Sequence, residues 1–169
     1  DEKLRGALKA AQFGVGKSEN HAFFPFMNWE PYPHQRRMLE DLVIQRSIND
    51  RHFNLIVAAT GTGKTMLAAF DYKRQFTSGN LRPRLLFVAH KKEILNQALG
   101  TFRAILNDNS FGELLVDGNK PSEWKHVFAS VQSLNLKDLR QISFDHFDYI
   151  VVDEFHHAEA KSYKTLLDY

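Results

Sequence analysis

Apolar residues in this chain fall into short continuous runs, and the stretches between them carry helical spacing. The runs are residues 53–58 (F-N-L-I-V-A), 85–89 (L-L-F-V-A), 113–116, 125–129 and 148–153 (D-Y-I-V-V-D). Their length and β-branched or aromatic content predict strands. A helix is expected from about His34 to Ile48, with Met38, Leu39, Leu42 and Val43 on one face. Further helices are expected over 64–76, 92–106 and 131–139, with a turn at Ser78-Gly79-Asn80. Continuous apolar strands separated by helices predict an α/β fold, a mostly parallel sheet with helices on both faces. Pro31 and Pro33 separate this body, residues 31–169, from an irregular N-terminal extension or linker, residues 1–30.

Composition narrows the class. A chain of 169 residues reads as one domain with a real core, and 43% hydrophobic with 25% charged residues is ordinary for a soluble protein. A net charge of +2 neither demands nor excludes a polyanionic partner. With no cysteine there is no disulfide, thiolate metal site or cysteine nucleophile. No stretch approaches the ~20 apolar residues of a membrane span, and no leader pattern opens the chain. The cytoplasm is the expected location. The absence of an initiator Met and the final helical stretch, 161–169, suggest a piece of a longer protein.

The chemistry enters directly after the first apolar run. Residues 58–65 read A-A-T-G-T-G-K-T, and a strand running into a Gly-rich loop that ends Gly-Lys-Thr is the sequence form of a phosphate cradle. Gly61 and Gly63 let the backbone curl so that N–H groups from Thr60 to Thr65 point at phosphate oxygens. Lys64 then reaches the β- and γ-phosphates, and the Thr65 hydroxyl holds Mg²⁺. The following helix presents its positive end to the same anion. A second octet, residues 11–18 (A-Q-F-G-V-G-K-S), matches the pattern equally well. It has no β-branched residue in the stretch before it and no long helix after it, so it reads as a basic turn.

The last apolar run ends in Asp153-Glu154-Phe155-His156. Charges at the carboxyl end of a buried strand sit where open α/β sheets place ligands. An Asp there can accept from Mg²⁺-bound water, and the adjacent Glu can aim an attacking water, the two requirements of nucleoside triphosphate hydrolysis. A metal site from Asp153, His156 and His157 is disfavoured, because adjacent histidines in a strand-end loop point apart.

A Gly-Lys-Thr loop followed by Asp-Glu-x-His resembles superfamily 2 helicases and translocases of the DEAH-like type, and the wording is similar to bacterial restriction-enzyme translocating subunits. Tyr32-Pro33-His34-Gln35 resembles the aromatic–Pro–x–Gln element ahead of the loop, and residues 87–91 and 128–133 resemble elements that touch nucleic acid. The resemblance covers about residues 31–160. It implies the first, RecA-like ATPase domain of a helicase. It implies Gln35 as adenine reader, Lys64, Asp153 and Glu154 as the catalytic set, and Thr65 and Asp153 as Mg²⁺ holders. His156 would couple nucleotide state to its neighbours, and His90, Lys91, Ser130 and Gln132 would contact backbone phosphates, which position a strand without reading it. The aromatic cluster Phe23, Phe24, Phe26 and Trp29 could stack a base, but packing on the core or on a neighbouring domain is the favoured reading.

The resemblance also implies parts that are missing: a second RecA-like domain with arginine fingers, and a strand between the loop strand and the acidic strand. The fold is therefore expected to be incomplete at its C-terminal end. Loss of that strand would leave strands 53–58 and 148–153 about 9–10 Å apart with a vacant slot. Because open edges are unfavourable, the slot is expected to be filled by further residues or a neighbouring chain, or the sheet to close up. The implied partners are ATP, Mg²⁺, nucleic acid (DNA ahead of RNA) and the second domain, with no membrane. Weak turnover is expected of the chain alone. Two rival classes remain: a P-loop kinase, against which the Asp153-Glu154 pair argues, and a nucleotide-gated interaction module, separated by whether nucleic acid stimulates hydrolysis.

Overall fold

The structure, a computed structural model, describes residues 28–59, 61–77, 81–134, 143 and 145–153. Its elements in chain order are α1 (Pro33–Ser47), α2 (Lys64–Thr77), β1 (Leu85–Ala89), α3 (Lys92–Leu106), β2 (Glu113–Leu115), β3 (His126–Ser130) and β4 (Tyr149–Val152). The four strands form one sheet in the order β2-β3-β1-β4, and every pairing is parallel. The predicted α/β class stands, and most of the expected elements match to within a residue or two.

β1 explains the topology. All five of its residues are buried, as a strand between two neighbours and two packed faces requires. Leu85, Phe87 and Ala89 point to a core shared with Leu67, Phe70 and Tyr72 of α2 and Leu95, Leu99 and Phe102 of α3. Leu86 and Val88 point the other way, into a smaller core with Val127 and Ala129, packed by Trp124, Val131, Leu134, Phe147 and Val152. The described helices all contribute to the first core; the helix expected at 131–139 lies mostly outside the described residues. Aromatic rings fill the first core: Phe128 stacks on Phe87 at 5.4 Å and meets Phe102 edge-on at 5.4 Å. Trp29 packs against the same core, as favoured for it; Phe23, Phe24 and Phe26 lie outside the described residues.

Two expectations are corrected. Residues 53–58 form no strand: Phe53, Leu55 and Val57 are 87, 81 and 82% exposed, while Ile56 between them packs on the core. The segment alternates in-out like a strand, but no described backbone pairs with it. Among the described residues β4 pairs with β1 alone, and its Ile150 is half-exposed. The loop segment and the acidic strand are thus not hydrogen-bonded to each other among the described residues, which is the arrangement that a missing intervening strand would leave.

The second correction concerns α1. Its buried positions are Gln35, Leu39 and Leu42, whereas Val43 is 41% exposed. Spacings of four and three residues put these on one stripe, and Arg46, four residues on, continues it. The face is apolar in the middle and polar at both ends, so a search for apolar spacing alone rotates it towards Val43. No described helix is long and apolar enough to cross a membrane.

Candidate nucleotide-binding site

The loop before α2 has the geometry its glycines allow. Gly61 and Gly63 both adopt φ +82°, a region L side chains rarely enter. At Gly63 a Cβ would also come within 2.6 Å of Gln35 Nε2, so the end of that side chain would have to shift. The Leu67 amide donates to Gly63 O at 2.9 Å, which starts α2 at Lys64. The N–H groups of the first turn therefore have no partner within the helix and face the loop, an arrangement suited to an anion. Thr65 lies in that turn.

Three contacts hold the loop. Thr62 donates through its hydroxyl to Ala59 O at 2.7 Å, closing a turn. Lys64 Nζ donates to Ala58 O at 3.0 Å, folding back over its own loop. Gln35 Nε2 donates to Thr62 O at 3.4 Å and Gly63 O at 3.3 Å, while its Oε1 accepts from the Tyr32 amide at 3.0 Å. Gln35 is buried, and its amide is engaged with the loop backbone, so in this conformation it reads the loop. His34 Nε2 also reaches Thr62 O, at 3.4 Å, and its ring stacks on Tyr32 at 5.8 Å.

The parallel register gathers the other candidates along one edge of the sheet. Ala89 pairs with Ser130 and Val88 with Val152. His90, Gln132 and Asp153 consequently follow three adjacent strand ends, the carboxyl edge where α/β sheets bind ligands. The Asp153 amide donates to Val88 O at 2.9 Å, which carries the β1–β4 ladder up to the acidic residue. His90 and Gln132 are exposed and touch, with Gln132 Nε2 3.0 Å from His90 Nδ1. Lys91 is exposed beside them.

Ser130 is placed differently from its sequence expectation. It is buried, its hydroxyl donates to Ser133 Oγ at 2.7 Å, and it accepts from the Ser133 amide at 3.1 Å. In this conformation it shapes the turn that presents Gln132 and offers no hydroxyl to an outside phosphate. Thr60, Glu154, His156 and His157, and the octet at 11–18, lie outside the described residues.

Sequence reading passed over three residues that the structure joins. Asp71 on α2 is buried, and both of its oxygens accept from Arg46 of α1, at 2.5 and 2.8 Å. Tyr149, the first residue of β4, donates to the same carboxylate at 2.5 Å. A signal was present: Asp71 shares a helix face with Leu67 and Phe70, and a carboxylate on an apolar face needs a cation.

The parallel sheet and the Gly-Lys-Thr loop define an α/β domain with a partial RecA-like sheet, and similarity to known proteins places it in the helicase-like, superfamily 2 class. Residues 28–169 match the family described as type III restriction enzyme, res subunit, and the chain belongs to that family. It is 28% identical over 136 residues to a protein of Acanthamoeba polyphaga mimivirus provisionally named an ATP-dependent RNA helicase, covering 79% of this chain and 24% of that protein. A Saccharomyces cerevisiae protein provisionally named an ATP-dependent helicase is 30% identical over 116 residues, 66% of this chain and 17% of its own length. The Escherichia coli type I restriction enzyme EcoAI endonuclease subunit is 32% identical over 139 residues, 75% of this chain and 16% of that protein. The chain thus spans a quarter or less of each of these relatives.

Proposed function

We propose that this chain binds ATP with Mg²⁺ at residues 60–65 and hydrolyses ATP in response to nucleic acid, within a protein that translocates on or unwinds it. The observation that carries this reading is the loop itself: two glycines at φ +82° deliver Lys64 and Thr65 to the start of a long helix. The family match supports a helicase-type ATPase.

The donor set suits the metal. Mg²⁺ is held in such sites by one or two protein oxygens, with phosphates and water supplying the rest. Thr65 and Asp153 are oxygen donors of that kind, and no larger cluster of acidic or histidine ligands occurs among the described residues. Bound there, the metal supplies charge neutralisation on the phosphates. Lys64 exchanges its bond to Ala58 O for the phosphates, and the loop amides donate to them. Glu154 aims the attacking water. Gln35 reads adenine only by releasing part of its hold on Thr62 O and Gly63 O. His156 couples nucleotide state to neighbouring elements. His90, Lys91 and Gln132 meet backbone phosphates at the sheet edge, and Ser130 joins them only if its turn opens.

DNA stands ahead of RNA because the family description and one relative are restriction enzymes, although another relative is named for RNA. A second RecA-like domain would supply the arginine finger, worth on the order of 10³–10⁵ in rate in phosphoryl transfer. Without it the chain turns over slowly. The test is ATP hydrolysis by the intact protein with single-stranded DNA, duplex DNA and RNA in parallel, across salt concentrations. Stimulation that falls with salt is expected. Lys64→Ala should abolish nucleotide binding, and Glu154→Gln should keep binding and stop hydrolysis. Normal hydrolysis by Glu154→Gln, or no stimulation by any polynucleotide, removes the reading.

A further inference from the structure

The buried Asp71 has no part in the phosphate chemistry, yet it meets all three elements that carry the site. α1 is fastened at two points. At its first turn Gln35 bonds Thr62 O and Gly63 O, and at its last turn Arg46 clamps Asp71 through two hydrogen bonds. Between these polar ends only Leu39 and Leu42 are buried. The third arm is Tyr149, whose hydroxyl ties the start of β4 to the same carboxylate.

The protonation states are fixed by this environment. The hydrogen bond to Asp71 raises the pKa of Arg46, against the opposing effect of burial, so the guanidinium stays charged. Burial first, then the Asp71 charge, pushes the Tyr149 phenol well above its ordinary value, so it remains a donor. The distances along each element are short and stiff. Asp71 lies seven residues beyond Lys64, ~10 Å along a helix. Tyr149 lies four residues before Asp153, ~13 Å along a strand. An apolar trio could fill this space at less desolvation cost. What a bidentate Arg–carboxylate pair adds is fixed geometry.

We propose that Arg46, Asp71 and Tyr149 form a positioning triad that sets the phosphate loop, the Gln35 helix and the Asp153 strand relative to one another. The proposal rests on the ATPase reading above. It assigns separate effects to separate arms. Tyr149→Phe keeps the ring and cuts only the link to β4, so the acidic strand end loses alignment. Roughly tenfold loss of kcat with unchanged KM for ATP is expected, the scale of a sub-ångström misplacement. Arg46→Met cuts the link to α1 and also leaves the buried Asp71 without its cation, so Gln35 and the loop loosen and stability falls as well. Roughly tenfold higher KM with little change in kcat is expected, on the same scale. Arg46→Lys keeps the charge without the fork and should not restore KM.

The experiment is steady-state ATP hydrolysis by the intact protein with stimulating nucleic acid, alongside thermal melting and hydrogen exchange at the amides of residues 61–65 without nucleotide. Faster exchange in Arg46→Met and the kcat-against-KM split support the triad. If Tyr149→Phe and Arg46→Met lower activity alike, in step with their melting temperatures, the residues only hold the fold together and the proposal falls. It falls too if neither variant differs from wild type while Lys64→Ala is inactive, and in that case the ATPase reading stands. If Lys64→Ala hydrolyses ATP normally, both fall together.

Discussion

β1 and residues 53–57 are both five-residue stretches dominated by apolar side chains, and they meet opposite fates. In β1 no side chain is more than 1% exposed, whereas Phe53, Leu55 and Val57 are each more than 80% exposed. Neighbours make the difference. β1 is bonded by β3 on one side and β4 on the other, and residues beyond both faces pack on it. Residues 53–57 have the core on one face only, through Ile56, and no described strand beside them. An apolar run therefore marks a segment able to join a sheet; membership requires a partner whose edge is free. The same contrast separates two ways of holding functional residues. His90, Gln132 and Asp153 follow strands locked in register, while the phosphate loop is held by the side chains of Gln35, Lys64 and Thr62.

The largest test of the contrast lies at the centre of the sheet. Phe128 is fully buried against Phe87 and Phe102, and Phe128→Ala should cost about 3–5 kcal/mol in urea unfolding, from lost burial and the cavity left behind. A loss below ~1 kcal/mol would mean that the sheet centre is no better packed than the loop segment. Next comes Gly112, just ahead of β2, at φ +76°. A Cβ there would meet Phe128 Cε2 at 2.7 Å and Leu99 Cδ1 at 2.8 Å. Gly112→Ala should destabilise by about 1–3 kcal/mol through overpacking. A neutral result would show that α3 and β3 can part locally, and would weaken the picture of a rigid centre.

Acid should loosen the amino-end edge of the sheet. His126 begins β3 with its ring 4.5 Å from Phe111, and its Nε2 is buried without a hydrogen-bond partner. Burial first, then the positive charge of Arg82 and a smaller effect of Lys125, lowers its pKa below 6.5; a hydrogen bond to the Pro83 backbone and the Asp108 carboxylate act the other way. Because the folded value is depressed, the unfolded chain takes up more protons between the folded value and 6.5. Stability is complete above 6.5 and declines as pH falls through that window. Urea midpoints measured from neutral to mildly acid pH should show the decline in wild type and a smaller one in His126→Phe. Equal slopes would place the acid sensitivity elsewhere.

How much of this was legible in the sequence follows the same division. β1, α3 and β4 could be read because their signals are local: a run of apolar residues, or a helical period, between polar breaks. The loop glycines could be read because their conformation depends on residue type. The strand at 53–58 was misread because pairing depends on what lies alongside, which no local window contains. The stripe of α1 was misread towards Val43 because its ends, Gln35 and Arg46, are polar residues satisfied by partners far along the chain. Arg46 and Tyr149 stand 25 and 78 residues from Asp71, beyond the reach of any periodicity. Ser130 was expected to contact backbone phosphates because its motif fixes position along the strand but leaves the direction of the hydroxyl open.

The smallest expected effect is the sharpest test of the comparison. Phe53 is 87% exposed and has no described strand beside it, so Phe53→Ala removes almost no burial. The change should stay within about 0.5 kcal/mol, as for surface positions generally. Val57→Ala should behave alike, being 82% exposed on the same side. Ile56→Ala provides the internal control, since Ile56 faces the core and should cost more than either neighbour. The alternation itself is then measurable: low, high, low at 53, 56 and 57. If Phe53→Ala and Val57→Ala instead cost as much as Ile56→Ala in the intact protein, a strand of that protein covers the segment, and its resemblance to β1 becomes real. The phosphate loop would then be held by a sheet as well as by Gln35.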